Sequence, residues 1–218
     1  MSGYVFISNS VKPSKEKQES RERIVPDNIS RPCLQAALEM GYEVYFGVNR
    51  KRAEELECEL PVHLYDSNTY GRCSSAFEAL KEGRTAYRNL CRLIEEEGID
   101  VIHCNTPVGG VIGRLAGRKY HVKKVIYTAH GFHFFRKAPL FHRTVLKWAE
   151  QLMAHWTDVI ITINQEDYEA AKRFRLKRNG KVCKIHGVGI NLEEYEKMPD
   201  CREAKRRELK LEQDETAL

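Results

Sequence analysis

The sequence has no run of about 18 consecutive apolar residues, so it offers no membrane-spanning helix. It has no CxxC pair. Its seven cysteines (Cys33, Cys58, Cys73, Cys91, Cys104, Cys183 and Cys201) are odd in number and irregularly spaced, which gives neither a zinc knuckle nor a thioredoxin motif. Several sit among apolar neighbours, as reduced core thiols do. No GxGxxG follows the first apolar run, where Ser8, Asn9 and Ser10 stand, and there is no GxxxxGK motif and no HExxH. Met1 to Ser8 has neither a basic n-region nor a long apolar h-region, so no signal peptide is expected. A cytoplasmic protein is predicted, at most peripheral on the inner face of the plasma membrane. Excess charge is also scarce: 36 Lys and Arg against 31 Asp and Glu leave +5, too little to argue for nucleic acid. Such a surface still favours phosphates or an anionic membrane face.

What is present is a core-forming chain. Of 218 residues, 42% are hydrophobic, enough for one large domain or one domain plus a piece of another. Short β-branched runs predict strands at Tyr4 to Ile7, Tyr42 to Val48, Pro61 to Tyr65, Ile99 to Cys104, Lys124 to Thr128, Asp158 to Ile163 and Lys181 to Ile185. Helical patterns fall between them. Asn28 and Ser30 are candidate caps for a helix ending at Gly41, and Asn49 to Lys51 opens a charged helix. Residues 66–80 are ambiguous, and Ala86 to Glu97 has helical spacing up to Gly98. Asn105, Thr106 and Pro107 begin another helix, Pro139 to Trp156 forms a long amphipathic one, and Asn164 caps a last one from Gln165 to Phe174. This alternation predicts an α/β fold, a doubly wound Rossmann-like parallel sheet. Ser8 to Asp27 is a polar connection of unusual length. After Ile185 the pattern becomes turn-rich and then charged, with a helix and tail at the end.

Chemistry is expected at the strand end VIYTAHGFHFF, because open α/β sheets place ligands beyond the carboxyl ends of their strands. His130 is there. A neutral histidine accepts a hydroxyl hydrogen bond or serves as acid or base near neutral pH, although a turn histidine bonded to a carbonyl looks the same in sequence. The spacing His130-x-x-His133, with His103 and His142 elsewhere, invites a metal reading. The motif contains no acidic residue, and no metal or cofactor is assigned. Gly109, Gly113 and Gly117 recur at four-residue intervals, which suits close helix-on-sheet packing. Gly109 and Gly110 offer amides near a helix start for a phosphate or sugar oxygen. Arg136, Lys137, Arg143 and Lys147 are interleaved with Phe134, Phe135, Phe141 and Trp148, a pattern compatible with a membrane interface or an ordinary wet helix face.

Four blocks in order, DVIHCNTPVGGVIGRLAGR, KVIYTAHGFHFFRKAP, TDVIITINQEDYEAAKRF and IHGVGINLEEY, resemble the N-terminal half of bacterial family 4 glycosyltransferases, nearest to the capsular and exopolysaccharide enzymes. Residues 1–99 match more loosely, mainly through MGYEVYFGVNR. The resemblance implies the GT-B fold, two Rossmann-like domains facing a cleft, the first holding the acceptor and the second the nucleotide-sugar donor. Residues 1–186 then form the acceptor domain and 187–218 an interdomain linker with a charged tail, the donor domain lying outside these residues. It also implies a retaining transfer to a lipid-linked or oligosaccharide acceptor, generally metal-free, and no activity for this half alone. By motif, His130 is the catalytic histidine at the cleft floor. Asn105, Thr106, Arg136 and Lys137 would contact the acceptor, the two basic residues meeting a lipid-linked diphosphate. Gly109, Gly131, Asn164 and Glu166 would line the cleft. Many family members carry a glycine pair after the first strand; Ser8 to Asp27 has no glycine. A non-catalytic carbohydrate- or lipid-phosphate-binding module, and a metal-dependent hydrolase, remain as alternatives.

Overall fold

Seven of the apolar runs become the strands of one all-parallel sheet in the computed structural model, which describes residues 2–8, 23–49, 53–68, 76–134, 139–140, 142–187, 189, 192, 196 and 201–209. The strands are β1 (Gly3–Ile7), β3 (Glu43–Val48), β5 (His63–Asp66), β6 (Ile99–Asn105), β7 (Lys124–Ala129), β8 (Val159–Thr162) and β9 (Lys181–Lys184). Their spatial order is β5-β3-β1-β6-β7-β8-β9. The chain winds outward one way from β1, then crosses back to β6 and winds outward the other way. The reversal lies between β1 and β6, and that is where an open α/β sheet leaves a crevice above its strand ends. A separate parallel pair joins β2 (Arg23–Ile24) to β4 (Glu57–Cys58). β2 lies within the long polar connection; Asn9 to Glu22 of that connection are outside the described residues.

Strand alternation sends successive side chains to opposite faces, and each face is apolar. One face carries Tyr4, Phe6, Val44, Phe46 and Val101 against α1 (Ser30–Glu39). The other carries Val5, Ile7, Ile102, Cys104, Val125 and Tyr127 beneath α2 (Ala76–Glu97) and α3 (Pro107–Lys119). Ala154 of α4 (Lys147–Ala154) and Ala171 of α5 (Gln165–Ala171) join the same cluster. Met1–Val188 form one compact unit, and Gly189–Leu218 a second that contains α6 (Arg202–Glu208). The six described cysteines are free thiols; Cys73 lies outside the described residues.

Glycine brings α3 close to the sheet. A Cβ on Gly113 would collide with Cys104 Sγ, and one on Gly117 would stand 2.6 Å from Val125 Cγ2. Gly110 adds a third contact, 2.6 Å from the Tyr127 ring. Close packing, expected from Gly109, Gly113 and Gly117, is found at Gly113 and Gly117, with Gly110 as the third contact residue.

Several elements differ from expectation. α2 is 22 residues long and starts ten residues before the helical spacing becomes visible. Its early positions Glu78 to Lys81 are exposed, so nothing selects for an apolar period there. After Val48 the expected charged helix appears among the described residues as a 3-10 turn, Ala53–Glu55. The helix expected from Pro139 to Trp156 contains a π-helical turn, His142–Leu146, before α4 begins. That turn shifts the helical phase by about one residue. Glu150, Met153 and Ala154 of α4 face inward, while Leu140, Val145, Trp148 and Leu152 are exposed. α1 is capped by neither Asn28 nor Ser30: Asp27 Oδ1 accepts from Ser30 N at 2.7 Å and from Ile29 N at 3.2 Å.

Candidate active site

β6 and β7 end side by side, with Asn105 paired to Thr128 in register. On the face that carries Val101, alternation places His103, Asn105 and Thr128 together at the crest of the sheet. His103 is buried and bonded at both ring nitrogens: Nδ1 to the Tyr4 hydroxyl at 2.7 Å and Nε2 to Thr128 Oγ1 at 2.8 Å. It thereby ties β1, β6 and β7 together just below their carboxyl ends. Burial, reinforced by the nearby His130, pushes its pKa down to about 3, so it is neutral at physiological pH.

His130 follows β7 and is half-buried, its Nε2 hydrogen-bonded to Asn105 Oδ1. With an amide oxygen facing it, Nε2 carries the proton and Nδ1 of the neutral ring is left as an acceptor. Burial lowers the His130 pKa from its ordinary value, and the Asp27 carboxylate works against that shift. The ring is thus a neutral, oriented base at the strand end. It can accept a hydrogen bond from a sugar hydroxyl or take up a proton as charge develops nearby. Asp27 was not among the residues singled out in sequence; its only signal there was a helix-capping context, PDNIS.

The chain leaves His130 through Gly131, whose φ of +141° is disfavoured for any residue with a Cβ. Beyond it, Phe132 N donates to Asp167 Oδ2 at 3.1 Å. Asp167 is buried, and its carboxylate also accepts from Asn164 Nδ2 at 2.6 Å. Asn164 Oδ1 in turn accepts from Asp167 N at 2.8 Å, so Asn164 is occupied as the N-cap of α5. This small network holds the loop after β7 to the helix after β8. Asp167 too was missed, because an acid in a first turn looks like ordinary helix-dipole chemistry.

The other expected residues divide. Thr106 caps α3, with its Oγ1 accepting from Gly109 N at 3.4 Å. Its backbone at φ 69°, ψ 155° lies in a region that β-branched residues rarely occupy, a strain of the kind that clusters at functional sites. The amides of Gly109 and Gly110 are not free for a phosphate: they donate to Thr106 Oγ1 and to Thr106 O, the latter at 2.8 Å. Glu166 is exposed in the first turn of α5. Arg136 and Lys137 lie outside the described residues. His133 is exposed near the loop, and His103 has both nitrogens engaged; the His142 side chain lies outside the described ones. Among the described residues no three His, Cys, Asp or Glu side chains are grouped as metal ligands.

Behind the crest, on the α3 face, lies a buried ion pair that sequence reasoning missed. Arg114 is fully buried, donating from Nη1 to Glu150 Oε2 at 2.8 Å and from Nε to Gly110 O at 2.8 Å. Its guanidinium sits 4.1 Å over the Tyr127 ring. Thirty-six residues separate the partners, so no local pattern announces the pair.

Comparison with known proteins agrees with this architecture. The chain is 42% identical over 124 residues to a putative glycosyltransferase, EpsD, of Bacillus subtilis (strain 168), a match covering 56% of the chain and 32% of EpsD. It is 30% identical over 107 residues to an Escherichia coli UDP-Gal:alpha-D-GlcNAc-diphosphoundecaprenol alpha-1,3-galactosyltransferase, covering 49% of the chain and 27% of that enzyme. These matches span a third or less of either relative's length. Among solved structures, sucrose-phosphate synthase from Thermosynechococcus elongatus superposes with a TM-score of 0.56 at 17% identity, over 99% of the chain and 54% of that protein, which supports the Rossmann-like GT-B fold. The family model for Glycosyltransferase Family 4 matches residues 34–193, most of the chain, and with the crest geometry above it the protein belongs to glycosyltransferase family 4.

Proposed function

We propose that this chain is the acceptor-holding domain of a retaining glycosyltransferase. The enzyme would move a sugar from a nucleotide-sugar donor to a lipid-linked or oligosaccharide acceptor in exopolysaccharide or capsule synthesis. The observation that carries the reading is the His130–Asn105 pair beside the point where the strand order reverses. Retaining transfer on one face of the donor needs little covalent help from protein; it needs the acceptor hydroxyl held in place and the developing charge met by fixed dipoles. A neutral His130 with Nδ1 free to accept fits that task. Asn105 fixes its tautomer and ring plane, and the His103 link fixes the strand ends beneath.

Residues 1–186 are assigned to this domain and 187–218 to a linker and charged tail, with the donor held by further sequence. The E. coli relative, named for a UDP-sugar donor and a diphosphoundecaprenol acceptor, supports this substrate class, and EpsD supports a surface-polysaccharide role. Arg136 and Lys137 remain proposed acceptor contacts, and Gly131 and Glu166 proposed cleft residues. Exposed Val145, Trp148 and Leu152 beside Arg143 and Lys147 favour peripheral contact with an anionic inner membrane face.

The test is made in the full-length enzyme with a UDP-sugar and a polyprenyl-diphosphate-linked sugar. His130→Ala should cut turnover a hundredfold or more, with a smaller change in acceptor KM. Turnover close to wild type would remove His130 from the site.

A further inference from the structure

Two grooves share Phe134 as a wall. The first, about 330 Å³, is walled by Val108 and Val111 of α3, Ala149 and Met153 of α4, and Phe132 and Phe134 of the loop after β7. Its charged lining residue, Glu150, is already paired with Arg114. The second, about 510 Å³, shares Phe134 and is lined by Arg143, Lys147 and Arg173, all exposed. None of these three cations is ion-paired with a carboxylate among the described residues. Glu166 stands on the same rim, and Asp167, also at its edge, has its carboxylate committed to Phe132 N and Asn164.

We propose that the two grooves are one site for a polyprenyl diphosphate, the first isoprene units lying in the apolar crevice and the diphosphate against Arg143, Lys147 and Arg173. The inference rests on the reading above that the acceptor is lipid-linked, and it adds the part of the protein that grips the lipid. A peptide is a poor occupant, because Glu150 and Tyr127 are already engaged and His133 is exposed, which leaves most of its backbone N–H and C=O groups unmatched in the crevice. A neutral lipid would leave three cations unused, and a free sugar would bury hydroxyls against hydrocarbon. A branched hydrocarbon chain ending in a diphosphate matches both halves, apolar to apolar and anion to cation.

The experiment is calorimetric titration of the 218-residue chain with farnesyl diphosphate, below its micellar concentration, and with farnesol and inorganic diphosphate as controls. Farnesyl diphosphate should bind at least tenfold tighter than either control. Ala149→Phe, which fills the crevice, should weaken farnesyl diphosphate at least tenfold and leave inorganic diphosphate unchanged. Val111→Asn, at a position already 37% exposed, should weaken the same ligand without threatening the fold. Lys147→Glu, on an exposed site, should weaken both diphosphates. Equal binding of inorganic and farnesyl diphosphate, or an indifferent Ala149→Phe and Val111→Asn, would overturn the proposal. In the full-length enzyme, unimpaired transfer to a lipid-linked acceptor by Ala149→Phe would overturn the crevice alone. Farnesyl diphosphate binding with transfer only to soluble acceptors would uphold the crevice and remove the lipid-acceptor reading.

Discussion

At the scale of single residues, the crest is organised by two histidines in different states of commitment. Among the described residues His130 is bonded through one ring nitrogen, to Asn105, whereas His103 spends both on Tyr4 and Thr128. The cost of that commitment is acid sensitivity. The unfolded chain protonates this histidine near 6.5, and the folded chain resists until about 3. Its contribution to stability is therefore complete above pH 6.5 and is lost as pH falls toward 3, at about 1.4 kcal/mol per pH unit for one proton. Urea unfolding at pH 6.5 and pH 5 should show about 2 kcal/mol more acid loss in the parent chain than in His103→Gln. Equal acid loss in the two would mean that His103 is not buried as described. Neither this role nor that of Asp27 was legible from composition or spacing, because each is set by a neighbour brought from a distant part of the chain.

At the scale of elements, α3 and α4 are coupled by a charge pair rather than by apolar contacts alone. α4 turns Glu150 toward the core, and Arg114 is there to meet it. Removing one partner leaves an uncompensated buried charge. Arg114→Ala should cost about 3–5 kcal/mol in chemical denaturation, whereas Arg114→Met combined with Glu150→Leu should recover most of that loss. A double variant as unstable as the single would show that the guanidinium is needed for packing instead. The strand positions were readable in advance, since β-branched runs bounded by turn residues admit little else. The phase of the helix after β7 was not, because a one-residue slip leaves the composition unchanged.

At the scale of the molecule, the sheet order places one wall of a crevice within these 218 residues. If the donor is held mainly on a facing domain, as proposed, this chain alone should release no measurable UDP from a UDP-sugar plus acceptor, whereas an enzyme that includes that domain should do so under the same conditions. Turnover by the isolated chain at a rate comparable to the full-length enzyme would refute the division of labour proposed here. Acceptor-side binding, by contrast, should survive in the isolated chain, since the residues assigned to it lie within Met1–Val188.

The strands and their parallel arrangement were legible in the sequence, as was the edge at which chemistry is expected, because period and turn residues are local properties. It also carried His130 and Asn105 in motifs that resemble a glycosyltransferase. Which of the named groups are already engaged depended on tertiary packing. Asn164 and the Gly109 and Gly110 amides proved committed to helix ends, and Thr106 to a strained cap. It alone joined Arg114 to Glu150, and His103 to Tyr4 and Thr128. A hydrogen bond or ion pair between residues dozens of positions apart depends on where strands and helices stack, and sequence spacing holds no record of that.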